Sequence, residues 1–231
     1  MTHSIPMQKP VADVSPWHIW RQWVAANSLA EVIGLGGSAL IGALLFQWLG
    51  ETAVSTLILA VVMILCGTFM EGVLVGLLQW HVLQRPFPSM SRTSWVRATA
   101  VGAAVAWTLG MIPSTVMNLT ADTSSTPPTE PSNLVVYGLA AAMGLLLGPI
   151  LALPQWTVLR HYVKSAGWWI PANSLAWAGG MIIVFMGTSL IPPEGITPGI
   201  ALLLLVTLAV AGAVVGAVHG LALVWFLRSG E

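Results

Sequence analysis

Residues 54–80, VSTLILAVVMILCGTFMEGVLVGLLQW, form an almost uninterrupted apolar run in which Glu71 is the single charged residue. About 20 mostly apolar residues are enough for a helix to cross the hydrocarbon core of a bilayer. The length and continuity of such an apolar run favour a helix over the short alternating strands of a membrane barrel. Five further runs meet the same criterion, which predicts an all-α bundle of six transmembrane helices. The predicted spans cover about residues 24–48, 54–80, 97–118, 134–159, 169–191 and 199–226.

The composition of the whole chain agrees with a membrane protein. Of 231 residues, 56% are apolar and 7% are charged, whereas an average soluble domain carries about 25% charged residues. Eight basic residues balance eight acidic residues, so no net charge attracts the chain to nucleic acid. The single cysteine, Cys66, excludes a disulfide framework and a multi-cysteine metal site. A polar, proline-containing tail is predicted at 1–16, followed by one membrane domain at 17–231.

All basic residues lie on one side of the predicted topology. They precede the first span, lie between spans two and three or four and five, or follow the sixth span. Their positions are Lys9, Arg21, Arg85, Arg92, Arg97, Arg160, Lys164 and Arg228. Because loops rich in Lys and Arg stay in the cytoplasm, this distribution predicts that both termini are cytoplasmic.

Short internal matches indicate that the chain contains repeated units. The run Ala-Asn-Ser-Leu-Ala occurs at 26–30 and again at 172–176, and the pattern Gln-Trp-x-Val-Leu occurs at 79–83 and 155–159. A tryptophan also precedes each copy of the Ala-Asn-Ser-Leu-Ala run, and Trp95 lies about midway between these two tryptophans along the chain. The spacing predicts three copies of a two-helix unit.

The three predicted units have a consequence for the symmetry of the bundle. They span about residues 17–90, 91–165 and 166–231. Because each unit has an even number of helices, all three insert in the same direction, and an axis along the membrane normal relates them. We therefore expect a compact six-helix ring with pseudo-threefold symmetry.

One motif also carries a resemblance to other proteins. The run Gln-Trp-Thr-Val-Leu-Arg at 155–160 follows a helix rich in Gly, Ala and Leu, and Gly-Trp-Trp at 167–169 opens the next helix. This arrangement resembles a group of polytopic membrane proteins of photosynthetic and related bacteria, which have no established activity. The copy at 79–85 departs from the pattern because Gln84 precedes Arg85. The resemblance implies a bacterial plasma membrane or an internal photosynthetic membrane, and it implies no reaction.

Two carboxylic acids, Glu31 and Glu71, are the most unusual residues of the predicted spans. An acid at mid-span costs about 2.5–3.5 kcal/mol on insertion scales. They lie 8 and 9 residues from Trp23 and Trp80, so both are expected about 12–14 Å inside the membrane. If the two carboxyl groups meet, they share one proton, which would suit binding of an ion or a proton. The alternative is that each acid is neutral and hydrogen-bonded within the bundle.

A second set of polar residues occupies matching positions in the predicted units. Gln79, Gln155 and His219 each lie seven residues after a glycine, and Asn27 and Asn173 lie at similar depth on the partner helices. They predict interhelical hydrogen bonds that fix the helix pairs, or a polar ring that lines a substrate path. We expect Asn27 near Gln79, and Asn173 near His219.

The sequence leaves three classes of function open. It contains no hydrolase, metalloprotease, phosphate-loop or dinucleotide-binding motif, so we predict no catalytic residue, metal site or cofactor. The first interpretation is a structural or accessory protein that binds lipid or other membrane proteins. The second is a transporter or channel for a small solute or ion that uses Glu31 and Glu71. The third is a pigment- or cofactor-binding protein in which His219 serves as an axial ligand.

Overall fold

The computed structural model describes residues 15–50, 52–120, 131–192 and 196–229, which leaves most of the predicted polar tail outside the described residues. Six long helices and no strand occur in these ranges. Each helix, counting α5 together with the 3₁₀ turn that precedes it, is long and apolar enough to cross a membrane, so the chain is an all-α integral membrane protein. The helices are Pro16–Leu49 (α1), Ala53–Leu83 (α2), Arg92–Thr120 (α3), Asn133–Leu159 (α4), Trp169–Thr188 (α5, preceded by the 3₁₀ turn Ala166–Trp168) and Pro198–Ser229 (α6).

Two helices begin earlier than the apolar runs predict. Helix α1 begins at Pro16 rather than near residue 24, and α3 begins at Arg92 rather than near residue 97. An apolar run measures only the part of a helix that lies in hydrocarbon, whereas backbone hydrogen bonding continues into polar and aromatic residues beyond it. Proline is suited to the first turn of α1 because it lacks an N–H that would have no partner there. At the start of α3, the Ser91 hydroxyl accepts from the Ser94 N–H.

Helix α2 contains a π-helical turn, Gly67–Val73, that the sequence analysis did not predict. A π turn inserts one extra residue, which rotates the side chains before it relative to those after it. Glu71 lies inside this turn, so its direction depends on the insertion. Single π turns frequently occur at functional sites.

The helices pack as a ring in chain order, in which each helix contacts its two chain neighbours and α6 contacts α1. Glycines on the even-numbered helices allow close approach to the helix that follows. An added Cβ at Gly72 of α2 would lie 2.8 Å from Ala100 Cα of α3, and one at Gly148 of α4 would lie 2.4 Å from Ser174 Cα of α5. An added Cβ at Gly212 of α6 would lie 2.6 Å from a backbone oxygen of α1. Small residues at such contacts let helix backbones pack closely in membranes.

The best-packed core lies at the end of the bundle where α1, α3 and α5 begin. Trp23, Trp95 and Trp169 are fully buried there. The Trp169 ring centroid lies 5.9 Å from that of Trp23 and 6.4 Å from that of Trp95, with the rings edge to face. Aliphatic and aromatic side chains from α1, α2, α4 and α6 belong to the same packed cluster, so the axis of the ring is closed at this end. These include Ile19, Leu83, Leu159, Leu223 and Phe226.

We call this end of the bundle the basic end, because every basic residue that the structure describes lies at or near it. The opposite end has far fewer buried residues: no residue of α3 beyond Ala103 is buried, and none of α6 before Ala211. The basic residues are Arg21, Arg85, Arg92, Arg97, Arg160, Lys164 and Arg228.

Candidate functional site

A cavity of about 30 Å³ lies inside the ring, and all six helices contribute to its lining. A water molecule needs about 10–15 Å³ of such space, so there is room for about two waters. Most of the lining falls into sets of three, and each set takes one residue from each predicted unit. Within a set, the residues lie at the same sequence distance from the buried tryptophan of their unit, or from Gln79, Gln155 or His219. The sets are Asn27, Thr99 and Asn173; Glu31, Ala103 and Trp177; Val75, Leu151 and Val215; and Gln79, Gln155 and His219. Glu71 and Gly72 complete the lining.

The structure brings all of the predicted site residues to this one cavity. The two acids come from α1 and α2, so the first helix pair supplies both carboxyl groups. The amide and imidazole side chains come from all three predicted units. The residues are Glu31, Glu71, Gln79, Gln155, His219, Asn27 and Asn173.

Hydrogen bonds between side chains join the helices at the level of the amides. Gln79 Nε2 donates to Asn27 Oδ1 at 2.9 Å, which links α2 to α1. Gln155 Nε2 donates to Thr99 Oγ1 at 3.0 Å, which links α4 to α3. Gln155 Nε2 also donates to Gln79 Oε1 at 3.1 Å. Together these bonds form a polar layer that crosses the ring beside the buried tryptophans.

Two of the buried tryptophans each donate a hydrogen bond to a side chain of the preceding predicted unit around the ring. Trp169 Nε1 donates to Gln155 Oε1 at 2.9 Å. Trp23 Nε1 donates to His219 Nδ1 at 2.7 Å. The tryptophans therefore close the axis and also orient the side chains that face the cavity.

Trp95 departs from this pattern. The same arrangement would have Trp95 Nε1 donate to Gln79, but this nitrogen is buried and makes no hydrogen bond with any described residue. The Gln79 oxygen accepts from Gln155 instead. A buried donor without a partner destabilises the fold by about 1–3 kcal/mol, and Trp95 alone of the three buried tryptophans carries this cost among the described residues.

The bond from Trp23 decides which nitrogen of His219 carries a proton. An indole N–H can only donate, so Nδ1 of His219 accepts and the neutral ring carries its proton on Nε2. Asn173 Nδ2 donates to the Trp169 carbonyl oxygen at 2.8 Å. Neither the His219 Nε2–H nor Asn173 Oδ1 has a partner among the described residues, so the third unit presents one donor and one acceptor to the cavity.

Glu71 is held by a side chain from α3. Trp107 Nε1 donates to Glu71 Oε2 at 2.7 Å. The Trp107 ring packs over Gly67 at the start of the π turn, where an added Cβ would lie 2.2 Å from the ring. Only glycine leaves space for the indole at this position, so the π turn and Trp107 together orient the carboxyl group.

Glu31 lies in the same cavity without such support. Its side chain is 5% exposed and makes no hydrogen bond with a described residue. One turn along α1, an added Cβ at Gly34 would lie 3.0 Å from Glu71 Cα, so the two acids come from helix segments in direct contact. The lining contains no Lys or Arg. Both carboxyl groups therefore face a small cavity that has no positive side chain.

Trp107 and Trp177 were not among the predicted site residues, although the sequence contains a signal for them. The other tryptophans lie near the ends of the helices, where an amphipathic ring is favoured, but these two lie within the spans. Trp107 binds Glu71, and Trp177 lines the cavity at the position equivalent to Glu31. The position of a tryptophan inside a span indicates that its ring contacts the site rather than the membrane boundary.

The site does not suit two kinds of cofactor. Among the described residues, no group of three His, Cys, Asp or Glu side chains surrounds a common metal position. His219 is 2% exposed and faces a space of about 30 Å³. A haem or chlorin ring does not fit there, so His219 is not placed to serve as the axial ligand of a pigment.

Comparisons with known proteins give no family for this chain. It matches no protein-family model, no curated protein and no solved structure. Its function has to be inferred from the chemistry of the cavity.

Proposed function

We propose that the protein transports protons or small monovalent cations and that Glu31 and Glu71 bind the ion inside the ring. The observation that carries this proposal is the presence of both acids in one cavity whose lining contains no Lys or Arg. An uncompensated carboxylate is very unfavourable in a low-dielectric interior. A pair of acids in this setting is stabilised when it holds a proton or another cation.

The contents of the axis favour transport over a purely structural role. A bundle whose only task is to pack would be stabilised by apolar side chains throughout its centre, because each buried polar group must find a partner. Here Glu31, His219 and Asn173 line the cavity with polar atoms that have no hydrogen-bond partner among the described residues. Its volume suits water, a proton or a small ion, and it excludes larger solutes. A negative transport result would favour the other interpretation, in which the chain is an accessory protein that binds lipid or membrane partners.

Ser38 extends the polar face of α1 beyond the cavity. It lies seven residues after Glu31, and a spacing of seven residues keeps two side chains on the same face of a helix. Ser38 is fully buried and its hydroxyl has no partner among the described residues. We place the path of the ion along this face. At the basic end, Trp23, Trp95 and Trp169 close the axis, so transport requires them to separate.

Two finer features of the architecture belong to this proposal. The three predicted units are related by a rotation of about 120° around the membrane normal, and both termini are cytoplasmic. The symmetry is supported by the matched sets of cavity residues, by the glycine contacts between successive units and by the tryptophan bonds around the ring. The orientation is supported by the position of every described basic residue at one end.

Transport can be measured directly after reconstitution into phosphatidylcholine vesicles that contain a pH-sensitive dye. With a potassium gradient and valinomycin as the driving force, we expect proton flux above that of empty vesicles; sodium and potassium gradients test the other ions. Glu31→Gln and Glu71→Gln should each lower the flux at least about tenfold, which corresponds to about 1.4 kcal/mol of lost ion binding. Thr108→Val, at an exposed position on α3, is the matched control and should leave the flux unchanged.

Two outcomes would contradict transport through these acids. One is wild-type flux no greater than that of empty vesicles with all three ions. The other is normal flux in both glutamine variants, which would make the pair structural. Glu31→Asp keeps a carboxyl group in the cavity and should retain more flux than Glu31→Gln.

The proposed orientation has a separate test by cysteine labelling in intact cells. Cys66→Ala provides the background, and single cysteines replace Glu51, Thr126, Glu194 or Ser229. An impermeant thiol reagent should label the first three positions and spare the last, because the positive-inside rule places the C-terminus in the cytoplasm. Labelling at the Ser229 position would reverse the assigned orientation.

A further inference from the structure

The basic end carries a feature that is independent of the cavity. Three of its arginines each lie over the face of a tryptophan, at a distance typical of cation–π contacts. Measured from the arginine Cζ to the ring centroid, the pairs are Arg92 and Trp80 at 5.7 Å, Arg160 and Trp156 at 5.1 Å, and Arg228 and Trp17 at 5.4 Å.

The charge at this end is of one sign in the part of the chain that the structure describes. All seven basic side chains there are exposed, and the described acids, Glu31 and Glu71, are in the cavity. Exposed tryptophans lie at the same end of the bundle: Trp17 is 45% exposed, Trp168 is 63% exposed and Trp225 is 44% exposed. A surface that combines exposed indoles with several cations fits the boundary between hydrocarbon and an anionic headgroup layer.

Two of these arginines, Arg92 and Arg160, lie beside connections between helices that contact each other. Tyr162 Oη donates to the Ser89 carbonyl oxygen at 3.3 Å, and the Phe87 and Tyr162 rings lie 6.0 Å apart. Trp80 Nε1 donates to the Met90 carbonyl oxygen at 3.1 Å. The two connections between α2 and α3 and between α4 and α5 therefore form one packed layer, which fixes the positions of the arginines at its edges.

We propose that the three Arg–Trp pairs bind the phosphate groups of anionic phospholipids. A guanidinium that stacks on an indole still has its in-plane N–H groups free, and these match a phosphate in a two-bond geometry. The indole is amphipathic and lies well at the headgroup level, beside the lipid chains. The pairs lie at the ends of membrane-spanning helices, so a lipid headgroup reaches them more directly than an acidic segment of another protein does.

The test compares two triple variants with the same loss of charge. Purified protein in mild detergent is titrated with dioleoylphosphatidylglycerol or dioleoylphosphatidylcholine, and bound lipid is counted by native mass spectrometry. The variant Arg92→Gln, Arg160→Gln, Arg228→Gln should bind phosphatidylglycerol about a hundredfold more weakly, since each pair loses its two-bond contact with a phosphate as well as its charge. The control Arg21→Gln, Arg97→Gln, Lys164→Gln removes three cations that do not stack on a described tryptophan, and it should lose less than about tenfold.

A lysine triple variant separates a defined site from general attraction. Lysine keeps the charge but has neither the planar fork nor the stacking surface, so we expect Arg92→Lys, Arg160→Lys, Arg228→Lys to bind at least about tenfold more weakly than wild type. Full binding by the lysine variant, or equal losses in the two glutamine variants, would mean diffuse electrostatic attraction and would overturn the proposal. Competition by free inorganic phosphate at the lipid's own concentration, or equal binding of phosphatidylcholine, would also overturn it. Melting curves without added lipid check that each variant is folded.

Discussion

Replacing Gly148 with alanine is expected to lower the melting temperature of the detergent-purified protein by about 10 °C. The added Cβ would lie 2.4 Å from both the Cα and the backbone nitrogen of Ser174. A backbone on a facing helix cannot rotate away as a side chain can, so α4 and α5 must separate. Overpacking of this kind costs about 3 kcal/mol, and a protein of this size loses about 2–4 °C for each kcal/mol.

Gly138→Ala in the same helix is the matched control. Nothing lies within 4 Å of a Cβ added at Gly138, and alanine is favoured over glycine inside a helix by about 0.5–1 kcal/mol. This variant should therefore melt at the wild-type temperature or slightly above it. Equal melting temperatures for Gly148→Ala and wild type would show that α4 and α5 are not in the close contact described here.

Trp169→Phe and Trp95→Phe are expected to have clearly different free energies of unfolding, although they remove the same atoms from two fully buried tryptophans. Trp169→Phe leaves Gln155 Oε1 without the donor that now lies 2.9 Å away, and a buried group that loses its partner costs about 1–3 kcal/mol. Trp95→Phe removes a buried N–H that has no partner among the described residues. The loss of this unsatisfied donor offsets part of the destabilisation that the smaller ring causes. We expect Trp169→Phe to be less stable than Trp95→Phe by at least about 2 kcal/mol.

The comparison uses unfolding in mixed detergent micelles with increasing dodecyl sulfate. Both rings are fully buried and both variants lose the same atoms, so the transfer free energy of the removed atoms is the same in the two variants. Trp23→Phe should behave like Trp169→Phe, because it removes the donor to His219 Nδ1. If Trp95→Phe proves the least stable of the three, Trp95 Nε1 has a hydrogen-bond partner and the bonding pattern around the ring is different.

The sequence determined the number, type and approximate limits of the helices. The length of an apolar run is a local property, and it must match the thickness of the bilayer whatever the helices later contact. The repeated spacing also predicted that Gln79, Gln155 and His219 occupy matching places, and the cavity lining contains all three. Asn27 and Gln79 were expected to lie near each other, and a hydrogen bond of 2.9 Å joins them.

Local features beyond hydrophobic length were harder to predict. Helix α1 begins early, at Pro16, because its first backbone hydrogen bonds form within a polar segment. The length of the apolar run does not indicate this part of the helix. The π turn at Gly67–Val73 has no established sequence signature, since one extra residue in a helix leaves the apolar run intact. Glu71 was identified as unusual from its charge, but its direction follows from this turn.

Only the tertiary structure decided which faces of the helices meet. A soluble helix shows its buried face by contrast with its polar side, but lipid is as apolar as the protein interior, so a membrane helix shows little contrast of this kind. The ring order, the bond from Trp107 to Glu71 and the tryptophan donors at the axis all depend on how each helix is rotated. For the same reason, the sequence alone does not show that Trp95 Nε1 has no partner among the described residues, because this depends on how the neighbouring helices are rotated.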